Sequence, residues 1–102
     1  MKLRSKTTPG NGETEIRFPL LECWNPLTKV ATIAAEVNRE RVPCRIAFSD
    51  LEARFGATED QPMQAVVDNR AILERGARRR LEAKAFEEDG SILLRAEDLL
   101  AD

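Results

Sequence analysis

Histidine is absent from this chain. The commonest general base, the commonest transition-metal ligand and the usual neutral-pH switch are missing with it. Triads of the Ser-His-Asp or Cys-His type cannot form within the chain. Cysteine is scarce: Cys23 and Cys44 have neither C-x-x-C spacing nor a second pair to complete a metal site. In a reducing compartment both read as small hydrophobes, although a disulfide between them is compatible with the spacing. No apolar run approaches a membrane span, and the N-terminus, MKLRSKTTPGNG, has positive charge without the apolar segment of a secretory signal. A cytoplasmic location with no membrane partner is therefore expected. Nor does one sign of charge dominate, since 16 basic residues face 18 acidic ones, which argues against a surface built wholly for polyanions.

What is present suffices for one folded domain. A length of 102 residues can bury one modest core, and 42% hydrophobic with 33% charged residues is ordinary for a folded chain. Residues 1–12 hold Lys2, Arg4 and Lys6 and then a Pro9-Gly10-Asn11-Gly12 cluster, so they read as a flexible basic tail, with the domain running from 13 to 102. The stretch from Asp60 to Glu88 carries the longest helical signal. Met63, Val66, Val67, Leu73, Ala77, Leu81 and Ala85 fall on one side of a single wheel, the spacing of a core-facing helix.

The rest reads as elements that pack on that helix. Glu13 to Phe18 alternates as a short strand closed by Pro19, and Asn25-Pro26 marks a turn. Ala31, Ile33, Ala35 and Val37, then Val42, Cys44, Ile46 and Phe48, form the two arms of a hairpin around Asn38-Arg39-Glu40-Arg41. Pro43 places its stretch of backbone at an edge or bulge. Ser49-Asp50-Leu51-Glu52 has the form of a capping box opening a short helix that Gly56 ends, and Thr58 or Asp60 is the expected cap of the long helix, with Pro62 in its first turn. Asp89-Gly90 turns the chain into a last short strand, Ser91 to Arg95. The expected fold is α+β: a small antiparallel sheet of N-terminal strand, central hairpin and C-terminal strand, packed on one long and one short helix.

The order I-R-F-P at Ile16 to Pro19, V-P-C-R-I at Val42 to Ile46, S-D-L-E-A-R-F-G, the Asp68-Asn69-Arg70 triplet and the terminal D-G-S-I-L-L-R resembles the domain of unknown function 1488 family of small bacterial proteins. Asn38-Arg39 stands where that family has Asp-Gly, which leaves the turn type open. The resemblance implies a compact α+β domain with a small antiparallel sheet against a long helix. It implies no activity and carries over no functional residues.

Three features are candidates for function. Arg75, Arg78, Arg79, Arg80 and Lys84 form a basic ridge; between Arg70 and Lys84 six basic residues face two acidic ones, Glu74 and Glu82. Such a ridge can attract a phosphate backbone, yet Glu74 and Glu82 stand at i, i+4 spacing to Arg78, and no base-stacking aromatic accompanies it. Arg70 interrupts the apolar side of the helix. It would either grip a ligand carboxylate or pair with an internal acid such as Glu22, Asp50, Glu52 or Asp98. Ala65, Ile72, Gly76 and Ala83 make a second seam of small or apolar residues, to be covered by a neighbouring helix or loop, or by the same helix of a second copy in a homodimer. The carboxylate pairs near Glu97-Asp98 and Glu87-Glu88-Asp89 read as solvated or capping groups. With no catalytic residue, cofactor or metal expected, the chain reads as a non-catalytic regulatory or adaptor module that binds another macromolecule, with a protein the favoured partner. The alternative is a nucleic-acid-binding accessory protein that uses the arginine ridge.

Overall fold

The computed structural model describes residues 14–100, so the expected basic tail over 1–12 lies outside the described residues. Among the described residues five strands are formed: β1 (Ile16–Arg17), β2 (Glu22–Asn25), β3 (Val30–Val37), β4 (Glu40–Ala47) and β5 (Ile92–Leu94). The helices are α1 (Phe48–Phe55), α2 (Pro62–Asp68) and α3 (Arg70–Glu82), and a 3₁₀ turn, Ala96–Asp98, follows β5. The fold is α+β.

The sheet grows from the central hairpin. Asn38 and Arg39 both have positive φ, 52° and 74°, the requirement of a two-residue type I′ turn. They set a register in which Val37 faces Glu40 and Ile33 faces Cys44. Alternation from that closing pair makes Ala34 and Pro43 a pair without mutual hydrogen bonds, so the nitrogen of Pro43 faces away from β3. β5 pairs with β4 only at Cys44 to Ile46, so no donor is missed there. β1 and β2 lie in succession along the other side of β3. Four residues separate Arg17 from Glu22, whereas two separate the facing Glu36 from Ile33, so the chain bulges around Phe18-Pro19-Leu20-Leu21.

One expectation fails at the C-terminal strand: β5 runs parallel to β4, with Cys44 facing Ile92 and Ile46 facing Leu94, so the sheet is mixed. The chain between them, residues 48–91, is long and helical, and a helical crossover returns a strand in the same direction where a tight turn would reverse it.

The long helix is also not continuous. Asn69 interrupts it at φ −121° and ψ 27°. Its side-chain Nδ2 donates to the Ala65 carbonyl at 2.9 Å, alongside its own backbone N–H at 3.1 Å, the local competition by which Asn disfavours helix interiors. A single wheel cannot be carried across that break, so Val67, assigned to the core face, is 55% exposed, while Val66, Leu73, Ala77 and Leu81 are buried as expected. The helical run stops at Glu82, short of Glu88, because Lys84 enters the left-handed region at φ 56°. The Ala85 N–H then closes on the Arg80 carbonyl and the Lys84 N–H on that of Leu81, a Schellman cap.

Two expected caps are replaced. α1 begins at Phe48, two residues early, behind Ala47 rather than Ser49, and makes no side-chain cap; the Phe48 N–H bonds the Lys29 carbonyl instead. α2 begins behind Gln61 rather than Thr58 or Asp60, with Pro62 in its first turn as expected. Gly56 ends α1 in the left-handed region as the sequence indicates. Helices and sheet enclose one core, in which Ile33, Ile46, Leu51, Leu73, Ile92, Leu94 and Leu99 are fully buried. Each such side chain contributes about 1.5–3 kcal/mol of transfer free energy.

Candidate functional site

Arg70 opens α3 beneath the β1–β2 bulge and is held on three sides. Its Nε donates to Glu74 at 2.8 Å, one terminal nitrogen to Glu22 at 2.6 Å and the other to the Pro19 carbonyl at 2.8 Å. The side chain is only 12% exposed. The planar guanidinium fork matches this set of oxygens. Of the two roles open to Arg70, the internal pair is the one present: the acceptors that a ligand carboxylate would replace belong to the chain, and they fasten α3 to the bulge.

The arginine ridge is divided among structural tasks. Arg78 lies over the Phe18 ring, 5.6 Å from its centroid, a cation–π contact on the same bulge. Arg79 donates to the Asp98 carbonyl at 2.7 Å, and Arg80 pairs with the Asp98 carboxylate at 3.0 Å. Arg75 is exposed, and Lys84 sits in the cap that ends α3. Glu74 is engaged by Arg70. The ridge is therefore in large part a clamp on the bulge at one end and on the C-terminal turn at the other.

That turn is what covers the second seam. A Cβ built on Gly76 would stand 2.7 Å from the Asp98 carbonyl oxygen and 3.5 Å from Leu99. Only a glycine lets the turn lie so close to α3. Ala65 packs where α2 meets the end of α1, Ile72 is half-buried, and Ala83 is exposed. A second copy cannot use the seam at Gly76, because the chain's own C-terminal segment already occupies it. Further bonds pin that segment: Arg54 Nε donates to the Leu99 carbonyl, the Ala96 N–H to Asp50 and the Arg95 N–H to Asp98. Asp50, expected within a capping box, thus serves the C-terminus. The sequence signal for this clamp was the buried-type residue Leu99 directly after Glu97-Asp98, opposite a glycine on the long helix.

The cysteines separate. Cys44 points inward, and burial pushes its thiol up to about 12, so it stays protonated at neutral pH. Cys23 is exposed on the opposite face of the sheet, which rules out a disulfide between the two within this fold. Asp89 is held below the usual carboxylate range by the Ser91 hydroxyl and backbone N–H, with Arg45 adding a smaller effect. Among the described residues no three His, Cys, Asp or Glu side chains gather as metal ligands. No helix among them is long and apolar enough to cross a membrane.

The surface left over is the face of the sheet turned away from the helices. Trp24 faces inward, edge-on to Phe48 at 6.2 Å, so its neighbours Cys23 and Leu21 face outward. Leu21, Cys23, Thr32, Ala34, Arg41 and Pro43 line a shallow hollow of about 220 Å³ there. Arg41 is paired with Glu36 at its margin, and Arg45 with Asp89 and Ser91 further along β4. A larger hollow of about 330 Å³ at the end of the sheet is lined only by Glu15, Arg17, Glu36 and Arg39, and Arg17 there already pairs with Glu15. The sequence did not single out this apolar face; the signal for it was Leu20, Leu21 and Leu27, which no alternating set absorbs.

Comparisons with known proteins agree with this architecture. A crystal structure of a protein of unknown function from Shewanella loihica PV-4, of the DUF1488 family, superposes with a TM-score of 0.72 over 78% of this chain and 91% of that one. The two share 20% sequence identity, which shows a common fold. No curated protein matches. The family model described as protein of unknown function (DUF1488) matches residues 16–94, from the first residue of β1 to the last of β5, and the chain belongs to that family.

Proposed function

We propose that the chain is a non-catalytic interaction module that binds another protein through the open face of its sheet. The observation that carries this reading is the asymmetry of the sheet. Helices and the C-terminal turn cover one face, while the other exposes Leu21, Cys23 and Pro43 around a shallow hollow rimmed by paired charges. A hollow of about 220 Å³ falls below the range typical of small-molecule sites, and its apolar centre with a charged rim is the anatomy of a protein contact. The buried Cys44 and the caged Arg70, in a sequence without histidine, support a non-catalytic reading.

Nucleic-acid binding by the arginine helix has less support, since Arg78, Arg79 and Arg80 are engaged within the chain. A pull-down from native cells with tagged full-length protein tests both, run with and without nuclease and with the Pro43→Glu variant. The module reading expects a partner that survives nuclease and is lost on Pro43→Glu at unchanged melting temperature. Capture that nuclease abolishes, and that Arg75→Glu with Arg79→Glu weakens, would shift the function to nucleic acid. Capture indifferent to Pro43→Glu would remove the sheet face from the proposal.

A further inference from the structure

The sheet has a second unpartnered feature, at its margin rather than on its face. Among the described residues nothing pairs with the outer side of β2. The direction of each backbone group follows from the hairpin. With Val37 and Glu40 as the hydrogen-bonded closing pair, Ala31 and Ile33 aim their backbone groups at β4, and Thr32 and Ala34 aim theirs at β2. The Ala34 N–H accordingly donates to the Leu21 carbonyl at 3.2 Å. Within β2, Cys23 and Asn25 then bond β3, and the amide groups of Glu22 and Trp24 point away from the sheet.

Exposed edges usually carry lysine, inward charges or proline that discourage pairing. Of these β2 has only an inward charge, and its outward residues Cys23 and Asn25, like Leu21 before them, are uncharged. Its single charge, Glu22, turns to the helices and is neutralised by Arg70 at 2.6 Å. The two most exposed large hydrophobic residues of the described chain, Leu27 at 94% and Leu20 at 86%, bracket the strand.

We infer that β2 pairs antiparallel with β2 of a second copy, about a twofold axis at Cys23. Glu22 then faces Trp24 of the second copy in a hydrogen-bonded pair, and Trp24 faces Glu22 of the second copy likewise. Cys23 faces its own equivalent in a pair without mutual hydrogen bonds, with Cα atoms about 4.5 Å apart. The axis sets no like charges directly opposite; the two Glu22 carboxylates stand on a diagonal of the helical face, each paired with its own Arg70, and Leu20 of each copy is carried toward the end of the strand where Leu27 of the other lies. A self-complementary patch of this kind is what a twofold interface requires. The pairing uses the backbone edge of β2 and shares Cys23, but not Pro43, with the open face, so the two proposals are told apart by their readouts: a monomer that still captures its partner sinks only the pairing, and a dimer that captures nothing sinks only the module.

The cysteine makes the register measurable. A separation of about 4.5 Å lies within disulfide range. Under diamide two Cys23 thiols of a dimer give up two hydrogen atoms, the oxidant leaves as its hydrazine, and one S–S bond joins the copies, while buried Cys44 stays reduced. Sedimentation equilibrium of the full chain should show a monomer–dimer equilibrium, and non-reducing electrophoresis after diamide should show a covalent dimer. Cys23→Ser should keep the equilibrium and lose the covalent band. Cys23→Lys sets two cations opposite each other and should raise the dimer dissociation constant about fivefold or more. Leu27→Asp, with Cys23 intact, should slow cross-linking. Cys23 and Leu27 are exposed, so these variants fold, as melting curves will verify. A parent that stays monomeric at every concentration overturns the inference. So does Leu27→Asp cross-linking as fast as the parent, since the disulfide would then report chance collisions.

Discussion

The two sides of the sheet use charge in opposite ways. On the helical side, Arg54, Arg70, Arg79 and Arg80 are tied to carbonyls and carboxylates of the chain itself and hold the bulge and the C-terminal turn in place. On the open side the outward residues of β2 are uncharged and large apolar side chains stand in solvent. The difference teaches that a run of arginines on a helix is poor evidence for a polyanion surface when carbonyls and acids from distant parts of the chain come within reach. Function is better sought where the chain has left its own surface unpaired.

The comparison breaks if both sides matter equally to folding. Leu73 is fully buried where α3 meets the core, and Leu73→Ala should cost about 2–5 kcal/mol in urea unfolding. Leu27→Ala on the open margin should stay within about 0.5 kcal/mol. A comparable loss at Leu27 in dilute solution would mean that this residue packs against something within the monomer.

A sharper version concerns the charges. Removing Arg70 strands Glu22, Glu74 and the Pro19 carbonyl together, so Arg70→Ala should cost about 1–3 kcal/mol. Arg70→Lys should recover only part of it, because a compact ammonium cannot reach three acceptors from a planar fork. Arg41→Ala, which breaks the exposed pair with Glu36 on the open side, should cost less than about 1 kcal/mol. Equal losses at Arg70 and Arg41 would show that the cage is no tighter than a surface pair.

How much of this was legible in the sequence follows from the range of the interactions involved. Alternation placed Ala31, Ile33, Ala35, Val42, Cys44 and Ile46 on the buried face correctly, because a period of two is fixed by the strand itself. The Arg70–Glu22 pair was among the partners foreseen, since a cation on an apolar helix face needs an acid. The helix break was hidden, because Asn69 makes one side-chain bond to Ala65 that no periodicity reports. The direction of β5 was hidden as well: Ile92 and Leu94 alternate identically in either orientation. The seam at Gly76 was seen but its occupant was not, for Leu99 lies in a segment too short to carry a pattern.

The smallest effects test whether the turns are as strained as their dihedrals say. Arg39 and Lys84 hold φ values of 74° and 56°, where a Cβ meets the following carbonyl at a cost of about 1–2 kcal/mol. Glycine removes that clash but loses more conformational freedom on folding, by about 0.5–1 kcal/mol. The two terms leave a net gain of about 0.5 kcal/mol each for Arg39→Gly and Lys84→Gly, read as a small rise in melting temperature. Asn38 is the control at a similar φ of 52°. Its side-chain oxygen accepts the Glu15 N–H at 3.0 Å and so joins the hairpin turn to the strand before it. Asn38→Gly relieves the same clash while releasing that bond, so its gain should vanish or reverse. If Asn38→Gly stabilises as much as Arg39→Gly, the Glu15 contact contributes nothing, and the start of β1 is held by the paired backbone alone.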